Sequence, residues 1–295
     1  MTASTTTATR PAPRAASANL VQWGRWRLTQ LLAEGDLARL HLALPVDGEQ
    51  QGGARYVVKS LRSEWAENSH AARMFMNEAA AGRASTHPHL APVLDLELRA
   101  APWFIVLPWL AGDTLQARLA RSGRQSAAHA VWHARQAAEA LVALHAAGWT
   151  HGDVKPANML VGPDGHLTLI DLGFARPIGE RQTGLSRALA ATPNYMAPEV
   201  ASDAAGADPG SDWYSLGVTL YELVTGELPF GVERIVPPTG VAKRMRQLNP
   251  LATARLAQLV EDLVANDPLR RPQGTEAVER LVAVEIEAIA DRIAC

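Results

Sequence analysis

The sequence predicts an α+β fold of two lobes: a small strand-rich lobe with one main helix, then a larger, mainly helical lobe. Three observations carry this. The first third alternates apolar and polar residues around turn signals, as strands do. The remainder follows helical spacing. A length of 295 residues suits one large domain or two lobes sharing a cleft. A strand-rich first third followed by a helix-rich remainder implies two lobes.

The chain opens on a different composition. Residues 1–22 are rich in Ser, Thr and Ala, with Arg10, Pro11, Pro13 and Arg14, and no acidic residue precedes Glu34. There is no apolar stretch of the kind a secretory signal needs, and the prolines oppose an amphipathic helix. This part reads as a disordered tail. Trp26 to Ala43 then alternates around one glycine, like two strands and a turn. Tyr56 to Leu61 reads as a further strand, and Ser69 to Arg83 is Ala-rich with helical spacing. Trp103 to Trp109 is a short apolar strand. A helix is expected to begin at Asp113, with Gln116 completing a capping box. Val131, Ala134, Ala138, Leu141, Val142 and His145 share one helical face, and Gly148 ends that helix.

Hydrophobic residues make up 47% and charged residues 20%, as in a soluble globular protein. A net charge of −2 argues against a dedicated nucleic-acid or anionic-membrane binder. The only cysteine is Cys295, so no intramolecular disulfide is possible and no oxidising compartment is demanded. No apolar run reaches the ~18 residues of a membrane span. A cytoplasmic location is expected.

Chemistry concentrates around one hairpin. Asn158 leads into Met159–Val161, Gly162-Pro163-Asp164-Gly165 turns the chain, and Leu167–Ile170 runs back to Asp171. Pro presets the second turn position and Gly relieves the fourth. Antiparallel pairing is expected to make Asn158 and Asp171 neighbours. An amide oxygen beside a carboxylate is a hard-ligand pair suited to Mg²⁺. Asp153 lies five residues before Asn158, with Lys155 between them. A base, a cation and a metal ligand on one loop meet the needs of phosphoryl transfer.

These residues fall within motifs of a known family. His151-Gly152-Asp153-Val154-Lys155-Pro156-Ala157-Asn158 resembles the catalytic loop of protein kinases. Asp171-Leu172-Gly173 resembles their metal-binding triplet, and Ala197-Pro198-Glu199 their A-P-E motif. Asp212-Trp213-Tyr214-Ser215-Leu216-Gly217 and Asp267-Pro268-Leu269-Arg270-Arg271-Pro272 are similar to later blocks. Upstream, Tyr56-Val57-Val58-Lys59 resembles V-A-I-K, followed by Glu78 and His87-Pro88-His89-Leu90. The likeness runs in order from Trp23 to Leu281. It is to the eukaryotic-like (Hanks-type) bacterial serine/threonine protein kinases, and Lys155 marks the serine/threonine class.

The resemblance implies lobes at residues 23–108 and 109–295. It implies ATP and Mg²⁺ as cofactors, phosphotransfer to Ser/Thr hydroxyls of proteins, and autophosphorylation. Lys59 would hold the α- and β-phosphates and pair with Glu78. Asp153 would orient the substrate hydroxyl, Lys155 would contact the γ-phosphate, and Asn158 and Asp171 would bind the metal. Leu32, Gly35, Leu40, Val57 and Leu160 would line the nucleotide site. Leu107 would be the gatekeeper, with Pro108 and Leu110 bonding adenine through the backbone. Glu199 and Arg271 would form a buried ion pair, and Asp212 would serve structure. A sensor or regulator is expected on a separate chain.

Departures from the pattern matter. Family glycines are expected at positions 33, 35 and 38, yet the chain reads Ala33-Glu34-Gly35-Asp36-Leu37-Ala38. Weaker ATP binding is expected. Gly152 replaces the catalytic-loop arginine, so activation should not need loop phosphorylation. Thr183 and Ser186 could still accept phosphate near Arg176, Arg181 and Arg187, but those arginines are expected to move with the loop. Thr192 is expected to contact Asp153 and Lys155. Gly82 stands where the family places a bulky residue, so the packing toward Leu172 should be under-filled. Ala157 offers no partner for a basic residue in the substrate. Two other readings use the same residues. H-G-D also occurs in small-molecule kinases of the aminoglycoside phosphotransferase type, but Lys155, Ala197-Pro198-Glu199 and Arg271 oppose that reading. The poor glycine loop fits a pseudokinase scaffold, but Lys59, Glu78, Asp153, Asn158 and Asp171 oppose it.

Overall fold

Strand formers dominate as far as Pro108, and they pair into one antiparallel sheet. The computed structural model describes residues 21–47, 55–65, 67–180, 193–201, 208–229 and 240–294. Residues 1–20 of the expected tail, and Arg181, Thr183, Ser186, Arg187 and Thr192, lie outside them. The sheet strands are β1 (Gln22–Trp23), β2 (Trp26–Glu34), β3 (Ala38–Pro45) and β4 (Tyr56–Leu61), then β5 (Asp95–Glu97) and β6 (Phe104–Pro108). Their order is β1-β2-β3-β4-β6-β5. The helix α1 (Ser69–Ala84) lies between β4 and β5 in the chain. Asn68 caps it, its side chain accepting from the amides of His70 and Ala71.

Strand alternation decides which side chains meet α1. Val58 lies on the face that packs with Trp26, Leu28 and Phe104. Leu61 lies on the other, packed with Ala71, Phe75 and Ala79 of α1. Two positions before Leu61 and on the same face is Lys59. On α1, Glu78 follows Phe75 by three residues and shares its face. The strand period and the helix period therefore bring Lys59 and Glu78 together.

The second lobe is built mainly of helices. Its elements begin with β7 (Asp113–Thr114), α2 (Leu115–Ser122), α3 (Ala127–Ala146) and β8 (Trp149–Thr150). The hairpin β9 (Met159–Val161) and β10 (Leu167–Leu169) and the short β11 (Arg176–Pro177) follow. Then come α4 (Pro198–Ala201), α5 (Pro209–Thr225), α6 (Val241–Leu248), α7 (Ala254–Leu263) and α8 (Gly274–Ala294). Helix α5 is apolar nearly all round because it is buried nearly all round, with Trp213, Leu216, Leu220 and Leu223 fully enclosed. Asp208 caps its start and Gly226, in the left-handed region, ends it.

Three expectations need correction. Asp113 does not start a helix: it lies in β7, and Thr114 caps α2 by accepting from the amide of Ala117. Asp113 instead accepts from Arg121 at 2.9 Å. The capping box with Gln116 fails because the cap is one residue later. Gly82 is not under-filled either. A Cβ there would lie 2.5 Å from Val93 Cγ2, so Val93 occupies the space. The bulk comes from the neighbouring segment, whose amide at Val93 also donates to Gly82 O at 3.0 Å. Finally, Ile170 rather than Asp171 is opposite Asn158, its amide donating to Asn158 O at 2.9 Å.

Candidate active site

The Gly162–Gly165 turn closes as expected, with the Gly165 amide donating to Gly162 O at 3.1 Å. The register sets Leu169 against Met159 and Leu167 against Val161. Asp171 follows the hairpin at φ 65°, a left-handed conformation that an aspartate tolerates better than most residues. Strain of about 1–3 kcal/mol is typical there and tends to mark functional positions.

Lys59 Nζ lies 2.7 Å from Glu78 Oε1 and 2.9 Å from Asp171 Oδ1. One ammonium thus ties the sheet, α1 and the hairpin exit together. Burial alone would lower the Lys59 pKa, but the carboxylates of Asp171 and Glu78 outweigh it and raise it. Lys59 ammonium in turn holds the Asp171 carboxyl down at about 2. Burial pushes Glu78 upward against the pull of Lys59. With its cation 2.7 Å away, Glu78 is read as a carboxylate.

A second cluster lies on the loop before β9. Asn158 Nδ2 donates to both Asp153 O and Asp153 Oδ2, each at 2.8 Å. Lys155 Nζ lies 2.7 Å from Asp153 Oδ2. The Asp153 carboxylate is therefore held in one orientation by an amide and a cation.

Beneath this loop is Asp212 of α5, 1% exposed. It accepts from the amides of His151 and Gly152, each at 2.8 Å, and from His145 Nε2 at 2.8 Å. Burial would raise its pKa, but these donors reverse the sign and lower it. Asp212 fixes the backbone that presents Asp153. Gly152 has φ 78°, and a Cβ there would lie 2.6 Å from Phe174 O. Glycine is thus required by the backbone itself, which reading the missing arginine alone did not reveal. His145 and His151 were also not singled out from sequence as partners of Asp212.

The expected nucleotide-contacting residues Leu32, Leu40, Leu107, Pro108, Leu110 and Leu160 are half-buried, as apolar walls of an open cleft are. Val57 is opposite Leu107 across β4 and β6. Gly35 sits at the β2–β3 turn. Next to Asp153 is an open pocket lined by Gly152, Arg176, Tyr195, Met196 and Val200.

Arg271 and Glu199 meet in a bidentate pair of 2.6 and 2.9 Å. The guanidinium is fully buried, donates to Gly210 O and Ala265 O at 2.8 Å each, and stacks over Tyr214. This ties the segment after Ala197 to α5 and to the loop before α8.

The sequence matches the family described as Protein kinase domain over residues 33–282. The chain belongs to the protein kinase domain family. It is 33% identical to serine/threonine-protein kinase PknA of Mycobacterium tuberculosis over 88% of its length and 61% of that protein. It is 26% identical to serine/threonine-protein kinase PrkC of Bacillus subtilis, over 90% of its length and 41% of that protein. Against serine/threonine-protein kinase AfsK of Streptomyces coelicolor it is 32% identical over 70% of its length and 25% of that protein. The chain therefore spans less than two thirds of each of these relatives. Among the described residues of this kinase domain, no helix is long and apolar enough to cross a membrane.

Proposed function

We propose that this kinase domain transfers the γ-phosphate of ATP to serine or threonine hydroxyls of proteins, itself included. One observation carries the reading: Lys59 bridges Glu78 and Asp171 while Asp153 is held by Lys155 and Asn158. Lobes at residues 23–108 and 109–295 would then meet at a hinge after Pro108.

An ammonium has three donors, and Lys59 spends two on carboxylates, leaving one for the α- and β-phosphates. Asp153 orients the attacking hydroxyl and accepts its proton as the new oxygen–phosphorus bond forms. The bond from the γ-phosphorus to the bridging oxygen breaks, and ADP leaves. Lys155, beside Asp153, offsets charge on the transferring group. Asp171, ionised above about pH 2, and Asn158 are hard oxygen donors that fit Mg²⁺. Few protein ligands suffice, because Mg²⁺ keeps waters and takes phosphate oxygens. When bound, it would neutralise phosphate charge. Val57, Leu107 and Leu160 would enclose adenine, with backbone bonds from Pro108 and Leu110. The Glu199–Arg271 pair supports a protein substrate over a small molecule, because it braces the segment that lines the pocket beside Asp153.

The test is incubation of purified protein with labelled ATP, Mg²⁺ and a generic protein substrate. Wild type should label the substrate, and Asp171→Ala should not, with an unchanged fold. Asp153→Asn should cut turnover by roughly 10²–10⁴ with nucleotide affinity kept. Activity in Asp171→Ala, or loss of ATP binding in Asp153→Asn, would remove these assignments.

A further inference from the structure

The β2–β3 turn keeps one of three family glycines, and the structure supplies a different means of fixing it. Three successive carbonyls at its tip are caught by the segment between β4 and α1. Arg62 Nη1 donates to Gly35 O at 2.9 Å, and Trp65 Nε1 donates to Asp36 O at 2.8 Å. The Arg62 amide donates to Leu37 O at 2.9 Å. Within the turn, the Gly35 amide donates to Ala38 O at 2.9 Å. Leu37 and Trp65 both pack against the cluster of Leu61, Ala71 and Phe75. Glu34, 3.7 Å from Arg62, pairs more closely with Arg39, and Glu64 also bonds Arg62.

The physical consequence is a loop with little freedom. A phosphate-covering loop works through its backbone, and carbonyl oxygens facing phosphate would repel it. Here three of them are committed to donors on the adjoining segment. That segment also joins the strand of Lys59 to the helix of Glu78. Loop, lysine and glutamate are thus set by one piece of chain. Ordering the tip before nucleotide arrives lowers the entropy cost of binding, which bears directly on a loop with alanines in place of two glycines.

We propose that Arg62 and Trp65 are positioning residues that hold the β2–β3 turn over the nucleotide; this rests on the ATP-dependent function proposed above. The variants are Trp65→Phe, which removes one donor and keeps the ring, Arg62→Ala, and Arg62→Lys as the conservative control. KM for ATP should rise about threefold to tenfold in the first two, as loss of a hydrogen bond commonly costs. Turnover should stay within about twofold, and Arg62→Lys should recover part of the loss. Amide hydrogen exchange at residues 35–38 should quicken in the nucleotide-free variants, a readout that needs no catalysis. Unchanged KM in an active protein would overturn the inference. A fall in KM would overturn it too, because the tether would then oppose binding. An inactive wild type would instead remove the proposed function.

Discussion

Glu199 illustrates how much one side chain holds. Its partner Arg271 is fully buried and makes five hydrogen-bonding contacts, to Glu199, Gly210, Ala265 and Asn266. Cutting the carboxylate from such a pair leaves a guanidinium enclosed without its counter-charge, a loss of roughly 3–5 kcal/mol. Glu199→Ala should therefore lower stability by that amount in urea unfolding, and more than Glu199→Gln, which keeps an acceptor. A melt unchanged from wild type would mean that the backbone acceptors alone satisfy Arg271. The pair was legible in sequence because both residues fall within recognisable motifs. Gly152 shows the converse. Its motif identified a missing arginine, whereas its reason is a carbonyl 2.6 Å from where a Cβ would stand, and that carbonyl belongs to Phe174.

Helix α3 places His133 among buried residues, its Nδ1 donating to Gln125 Oε1 at 3.0 Å. Burial, with help from Arg118 and His129, pushes its pKa down from 6.5 to about 4. The unfolded chain then takes up a proton that the fold refuses. This contribution to stability is present above pH 6.5 and is lost as pH falls toward 4, by up to about 1.4 kcal/mol per pH unit. Urea midpoints measured from pH 7 to pH 4.5 should fall more steeply for wild type than for His133→Gln. Parallel curves would show that His133 takes no part. Most elements were readable in this way, from period and cap signals: β4 runs from Tyr56 to Leu61 as its sequence suggests, and α1 extends one residue beyond Arg83. Two failures have local causes. At α2, Asp113 and Thr114 are both good caps and both pair with β9, and the cap falls to Thr114, the residue next to the helix. At Gly82, a residue eleven positions away fills the space, and side-chain volume across a turn is not visible in a linear pattern. The Lys59–Glu78 pair could be anticipated from motifs, but not the contact of Lys59 with Asp171, nor the tether from Arg62 and Trp65, because neither of those two belongs to a motif.

In protein kinases, activation depends on how the segment after the metal-binding triplet is held. Kinases that require loop phosphorylation use an arginine beside the catalytic aspartate to bind that phosphate in a bidentate contact. Gly152 has no side chain to do so, and its φ of 78° makes any replacement strained. Other contacts already span the site: Lys59 with Glu78 and Asp171, and Asp212 with the backbone of His151 and Gly152. One expectation about the remaining arginines changes. Arg176 does not ride on a free loop: it lies in β11, opposite Thr150 of β8, immediately before His151. Burial lowers its pKa, while Glu180 and Asp212 oppose that shift. Their carboxylates already balance its charge in part, so a phosphate would gain less from it than from an uncompensated arginine. Activity toward an exogenous protein should therefore persist without phosphate on Thr183 or Ser186, both outside the described residues. The Thr183→Ala, Ser186→Ala double variant and phosphatase-treated wild type should each keep activity within a few-fold of untreated wild type. A fall of about tenfold or more, equivalent to about 1.4 kcal/mol in the barrier, would refute this. Arg176 would then be the group to test, since it lines the same pocket as Gly152.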